Sequence, residues 1–287
     1  MYSVARDESA GDESSGMRSA DAWVETLKAY LEPEWRDLLE GEWSTKMRDG
    51  TWSTSALCGW FLQMYPFIHA FPKFLAEALL KVEDEHSRSF LIDNIRVEKA
   101  HAEHWIWMGE GFGLKRAEMI AFAEGERPVL RDVQSLTDWI WFINAKGSLA
   151  EAVAATSFAI EGVTGDLTRS LLKSFMEYGS RKGVDMSPKT TKWFRNHAKY
   201  DDDHPRIALE VVARYARTER ERMKVMAAAR RSLQLLNLAL MSSCQGYSQT
   251  QLVPGPGMSA DRRHAQRPID FPDRRVRDRL QIVPQPA

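Results

Sequence analysis

The sequence predicts an all-α protein, and three observations carry that prediction. From about residue 19 to residue 243, apolar side chains recur at three- and four-residue spacing, the period of one helix face. No segment shows the sustained period-two alternation that a strand requires. Glycines at 50, 113, 125 and 183 punctuate the periodic stretches where connections belong.

Taken in order, the predicted helices are Ala20–Glu40, Ser53–Val82, Asp84–Gly109, Lys115–Ala123, Leu136–Ala145, Leu149–Tyr178, Lys189–His204 and Pro205–Ser242, a bundle of about seven to eight helices. Pro66 and Pro72 fall inside the second and should bend or break it, because each removes an amide donor and clashes with the preceding turn. Ser187 followed by Pro188 makes a favourable start for the seventh. The first 18 residues are rich in Asp, Glu, Ser and Gly, and residues 244–287 in Pro, Arg, Asp and Gln. Neither stretch buries enough apolar surface to offset its ordering entropy, so both are expected to be disordered tails around one helical domain, residues 19–243. The arginines of the second tail (Arg262, Arg263, Arg274, Arg275, Arg277, Arg279) are assigned no role.

The 287 residues are 44% apolar, ample for a single core. Charge is balanced, 39 basic against 40 acidic side chains, so no global field draws the chain to nucleic acid or an anionic membrane. Two distant cysteines, Cys58 and Cys244, exclude a disulfide scaffold and a thiolate metal cluster and suit a reducing cytoplasm. The polar, acidic N-terminus lacks the apolar stretch of a secretory signal, and no apolar run is long enough to span a bilayer; a cytoplasmic protein is expected.

Three segments carry candidate chemistry. In NHAKYDDDHPR, His197, Asp201 and His204 stand at offsets of four and three, which on a helix places imidazole, carboxylate and imidazole on one face. That donor mixture suits iron or manganese. The competing reading is a solvated, polar helix end. In NIRVEKAHAEHW, Glu98 and His101 form a Glu-x-x-His pair among Ile95, Val97 and Trp105, a spacing that gives one metal two ligands in diiron bundles. Glu83 with His86 repeats the spacing about 22 Å earlier along the helix, but in an acidic helix start that reads as solvated. His104, one turn past His101, is either a partner to the ligands or an ordinary core or surface histidine. Glu161 is a lone carboxylate in the small, apolar run VAATSFAIEGVTG, where burial demands a cation: a metal, or an Arg or Lys from another helix. Together the segments offer three carboxylates and three imidazoles, and three negative charges nearly neutralise two ferrous ions, which favours two metals over one.

In order and spacing, these residues resemble the haem-oxygenase-like diiron oxidases and oxygenases, whose helical fold is shared with the TenA thiaminases and PqqC-type quinone synthases. The segment FLQMYPFIHAF, residues 61–71, is similar to an early helix of TenA-like proteins. The resemblance implies a haem-oxygenase-like bundle in which Glu98, His101, Glu161, His197, Asp201 and His204 hold two Fe2+ ions, and no haem, for reaction with dioxygen. It also implies an electron donor or reductase as partner, and pairing into homodimers is common in such folds. Known reactions of the family include N-oxygenation, desaturation or cleavage of amino acids, and oxidative decarboxylation of fatty acids. Trp60, Met64, Tyr65, Phe67, His69, Trp105 and Trp107 suggest a compact substrate, although such a stripe also serves as core. The expected reaction is N-oxygenation of a small amine or amino-acid-like metabolite in a biosynthetic pathway, with oxidative C–H or C–C cleavage of an amino or fatty acid as the alternative. A metal-free TenA-like hydrolase would need Cys58 as nucleophile, and a non-catalytic helical protein would leave six convergent polar residues unexplained.

Overall fold

The computed structural model describes residues 9–199 and 203–248. These residues form eleven α-helices and one π-helical segment, with no strand among them. All lie in one unit, Met1–Val253. The helices are α1 (Ser9–Glu40), α2 (Glu42–Asp49), α3 (Thr54–Leu79), α4 (Glu85–Gly111), α5 (Arg116–Ala123), α6 (Arg131–Lys146), α7 (Leu149–Val153), α8 (Gly162–Arg181), α9 (Lys192–Lys199), α10 (Asp203–Tyr215) and α11 (Glu219–Gln245). The π-helical segment, Ala154–Glu161, joins α7 to α8. No described helix is long and apolar enough to cross a membrane.

Local chemistry accounts for the boundaries. Ser53 caps α3 by accepting from the Ala56 amide, Ser148 and Glu151 form a capping box at α7, and Thr218 and Glu221 form another at α11. The four glycines expected at connections all have positive φ, between 65° and 92°; at Gly50 this left-handed residue closes α2.

Several expectations require correction. α3 runs unbroken through Pro66 and Pro72, because packing against α4, α5, α6 and α11 outweighs the two lost amide donors. Over the helix expected at Lys189–His204, the described residues are helical from Lys192 to Lys199 (α9) and from Asp203 onward (α10), with residues 200–202 outside the described residues; Pro205 lies within α10. The expected final helix divides into α10 and α11 at the Thr218 cap. α1 is helical from Ser9, within the stretch expected as the N-terminal tail, and past residue 243 Tyr247 is buried and accepts a hydrogen bond from Gln63 Nε2 at 2.8 Å; residues 1–8 and 249–287 lie outside the described residues.

Asp84 ties two site-bearing helices together. It caps α4 through the Ser87 amide (3.0 Å) and receives Tyr215 Oη (2.6 Å) and Arg214 (2.9 Å) from α10. Burial raises its pKa, but the hydrogen bonds from Tyr215 and Ser87, with the Arg214 charge, outweigh this and hold it well below the usual carboxylate range. Its contribution is therefore complete above about pH 4 and is lost as pH falls further. Asp84→Ala should destabilise the protein by about 1–3 kcal/mol in urea unfolding, with a smaller deficit at low pH.

Candidate metal centre

α4 turns one narrow stripe to the core: Phe90, Leu91, Asn94, Glu98, His101, Trp105 and Met108, at three- and four-residue spacing. Three positions of that stripe are polar, and the helix therefore delivers Asn94, Glu98 and His101 into the interior. Glu98 and His101 are buried, with His101 Nδ1 2.9 Å from Glu98 Oε2. α9 brings His197 against them, its ring centroid 4.4 Å from that of His101. Ligand atoms of Glu98, His101 and His197 lie within 4.8 Å of one another.

The tautomer of His197 is set by its backbone. Nδ1 is 2.9 Å from the Trp193 carbonyl, which can only accept, so Nδ1 carries the proton and Nε2 presents a lone pair. Burial, reinforced by His101, lowers the His197 pKa to about 3, so the ring is neutral at physiological pH. For Glu98, burial raises the pKa, but the charge and hydrogen bond of His101 lead the opposing effects, and the net shift is downward.

A second pair lies across the same site. The π-helical segment ends on Glu161, which is buried with Oε2 3.9 Å from His204 Nδ1 of α10. Asn94 Nδ2 donates to both Glu161 oxygens, at 2.9 and 3.1 Å. π-Helical turns often mark functional sites, since the extra residue per turn re-aims side chains against the flanking helix. Glu98, His101, His197 and Glu161 all line one cavity of about 70 Å³. Of the six residues expected as ligands, Glu98, His101 and His197 cluster, Glu161 lines the same cavity, His204 lies beside Glu161, and Asp201 lies outside the described residues. The Glu83–His86 repeat is on the surface, where His86 pairs with Glu210 at 3.3 Å.

This donor arrangement coincides with a family relationship. Residues 58–237 match the model of a family described as iron-containing redox enzymes. The chain belongs to that family. A search among curated proteins gives no match. Among solved structures, a TenA homolog from Pseudomonas syringae pv. tomato str. DC3000 is 26% identical, with a TM-score of 0.70 over 78% of this chain and 93% of that one. A domain of unknown function with a heme-oxygenase-like fold from Shewanella denitrificans OS217 superposes with a TM-score of 0.67 at 18% identity, over 82% and 97%. A TenA homologue from P. horikoshii OT3 gives 0.62 at 11% identity, over 78% and 98%. The all-α, haem-oxygenase-like bundle expected from the sequence is the fold observed.

The residues fit iron. Metal–ligand bonds of about 2.0–2.2 Å require donors about 3–4 Å apart, and the Glu98–His101–His197 trio needs only small adjustments to close on an ion. The donor set mixes carboxylate with imidazole, as first-row transition metals prefer.

Of the expected pocket residues, Trp60, Met64, Phe67 and Trp105 line the cavity. Tyr65, His69 and Trp107 do not: Tyr65 is buried on another face of α3, its ring 5.7 Å from His69. His104 is buried with Nδ1 unpartnered and its pKa lowered to about 4, chiefly by burial. Sequence reasoning missed Asn94, although its position four residues before Glu98 on the same stripe was a legible signal.

Proposed function

We propose that this iron-containing redox enzyme is a non-haem diiron oxygenase that activates dioxygen. The observation that carries the reading is that Glu98, His101, His197 and Glu161 line one apolar cavity, the first three clustered within 4.8 Å and Glu161 backed by His204 at 3.9 Å. Glu98, His101 and His197 would hold one Fe2+ and Glu161 and His204 the second, with Asp201 as the remaining ligand expected from the sequence. When bound, the two ions supply the electrons and open coordination positions that dioxygen reduction needs. The chain's own part is to present neutral His197 Nε2, keep Glu98 ionised, hold Glu161 through Asn94 and exclude water with the surrounding Trp, Phe and Leu side chains. An external electron donor returns the site to the ferrous state.

The substrate reading is N-oxygenation of a small amino-bearing metabolite. Apart from the proposed ligands, the described residues lining the cavity offer Thr164 and Thr168 hydroxyls and indole N–H groups as their polar side-chain functions, so the lining suits an amine whose attached group is apolar. The same lining favours a second reading, oxidative C–H or C–C cleavage of an amino or fatty acid whose carboxylate meets the metal. The names of the solved TenA homologues suit a metal-free hydrolase, which would need a thiol nucleophile in the cavity. Neither cysteine lines it, and burial pushes both thiols up to about 12.

The test is oxygen uptake by protein loaded anaerobically with ferrous ion, against iron-free protein, with panels of apolar amines and medium-chain fatty acids. Iron-dependent uptake accelerated by an amine that becomes N-oxygenated supports the first reading, and acceleration by a fatty acid the second. Absence of iron-dependent uptake contradicts both.

A further inference from the structure

Four indoles run in consecutive ring contact along the cavity, from His197 at the proposed iron site to α2. The His197 ring lies 4.1 Å from Trp193, Trp193 lies 4.8 Å from Trp105, Trp105 lies 5.0 Å from Trp60, and Trp60 lies 5.3 Å from Trp43, all as ring-centroid separations. Each indole is at most 5% exposed. Trp43 Nε1 donates to Cys244 Sγ at 3.3 Å, and Trp43 sits on α2, where the half-exposed Lys46 lies over the neighbouring Trp52.

Packing alone does not account for this row. The N–H groups of Trp193 and Trp60 are buried without a hydrogen-bond partner. Each such orphan costs roughly 1–3 kcal/mol that a phenylalanine would avoid while filling most of the same space. What an indole adds over a phenyl ring is ease of one-electron oxidation. An oxidised indole with no acceptor for its N–H proton stays a radical cation, ready to take an electron back.

We propose that Trp193, Trp105, Trp60 and Trp43 form a relay that draws oxidising equivalents away from the iron site when dioxygen is consumed with no substrate in the cavity. This inference rests on the oxygenase reading. One electron passes from Trp193 to the site, and the hole then moves through Trp105 and Trp60 to Trp43, where the electron-rich sulfur of Cys244 stabilises it. A one-electron donor of the ascorbate class, acting from solvent at the α2 end, fills the hole and releases its own proton to water. Each indole ends neutral, with its N–H intact.

The experiment exposes iron-loaded, full-length protein to oxygen without substrate or donor. Oxygen uptake is recorded, organic radicals are trapped by freeze-quench electron paramagnetic resonance, and oxidised tryptophans are mapped by peptide mass spectrometry. The relay predicts an indole radical that ascorbate removes, and oxygen adducts at Trp60 and Trp43. In Trp105→Phe, adducts at those two positions fall severalfold relative to Trp193, whereas an oxidant diffusing through the cavity would mark them equally. Oxygen uptake without an indole radical, or undiminished adducts in folded Trp105→Phe, overturns the relay alone. Absence of iron-dependent uptake removes the oxygenase reading and the relay with it. If Trp105→Phe does not fold, the wild-type radical and its loss with ascorbate decide.

Discussion

Replacing His197 with alanine is expected to lower affinity for ferrous ion by more than about 100-fold at the Glu98 side of the site, since loss of supporting groups alone typically costs 10–100-fold. His197 is the only one of the three clustered ligands that α4 does not provide, and its Nε2 is the lone pair aimed at the Glu98–His101 pair. Without it, two adjacent side chains of one helix face a gap. Metal analysis after anaerobic loading and desalting should show the loss, and oxygen uptake should fall with it. Because His197 is half-buried at the edge of α9, helix content should be unchanged. Retention of wild-type iron by His197→Ala would show that the cluster is not a metal site.

The second large effect concerns Glu161. Buried Glu161 accepts from the neutral amide of Asn94 and lies 3.9 Å from His204, and an ionised carboxylate at this buried position would carry a desolvation cost that iron would offset. Ferrous ion should therefore raise thermal stability strongly; occupancy at a hundred times Kd contributes about 2.7 kcal/mol. Glu161→Gln preserves shape and removes the charge. The iron-free variant should be as stable as the iron-free wild type or more so, by about 1 kcal/mol, while most of the gain from the second iron disappears. Calorimetry of both proteins with and without Fe2+ reads the two effects separately. A variant that is less stable without iron but gains as much from it as the wild type would mean that Glu161 is a structural residue.

What was legible in the sequence follows from the range of the interactions involved. The α4 stripe and the Glu98–His101 pair depend on three- and four-residue spacing alone, and both stand as expected. The positive-φ glycines and the Ser53 and Asp84 caps are equally local. Elements that depend on distant packing were not legible. α2 is a short helix held by the burial of Trp43 and Met47, and the prolines of α3 are overridden by four neighbouring helices. The π-helical turn leaves no trace in the run AATSFAIE, yet it fixes where Glu161 points. His197 and His204 stand seven residues apart, a spacing legible in the sequence, whereas the contact of His204 with Glu161 at 3.9 Å depends on tertiary structure. The division of the last segment was available in the Thr218–Glu221 capping box, which the continuous apolar periodicity masked.

The account turns on where iron sits. Crystals grown anaerobically with ferrous ion, with data collected on both sides of the iron absorption edge, locate it directly. The account predicts two anomalous peaks beside the cavity, one among Glu98, His101 and His197 and one at Glu161 and His204. No peak there, or iron only at surface pairs such as His86 and Glu210, would contradict it.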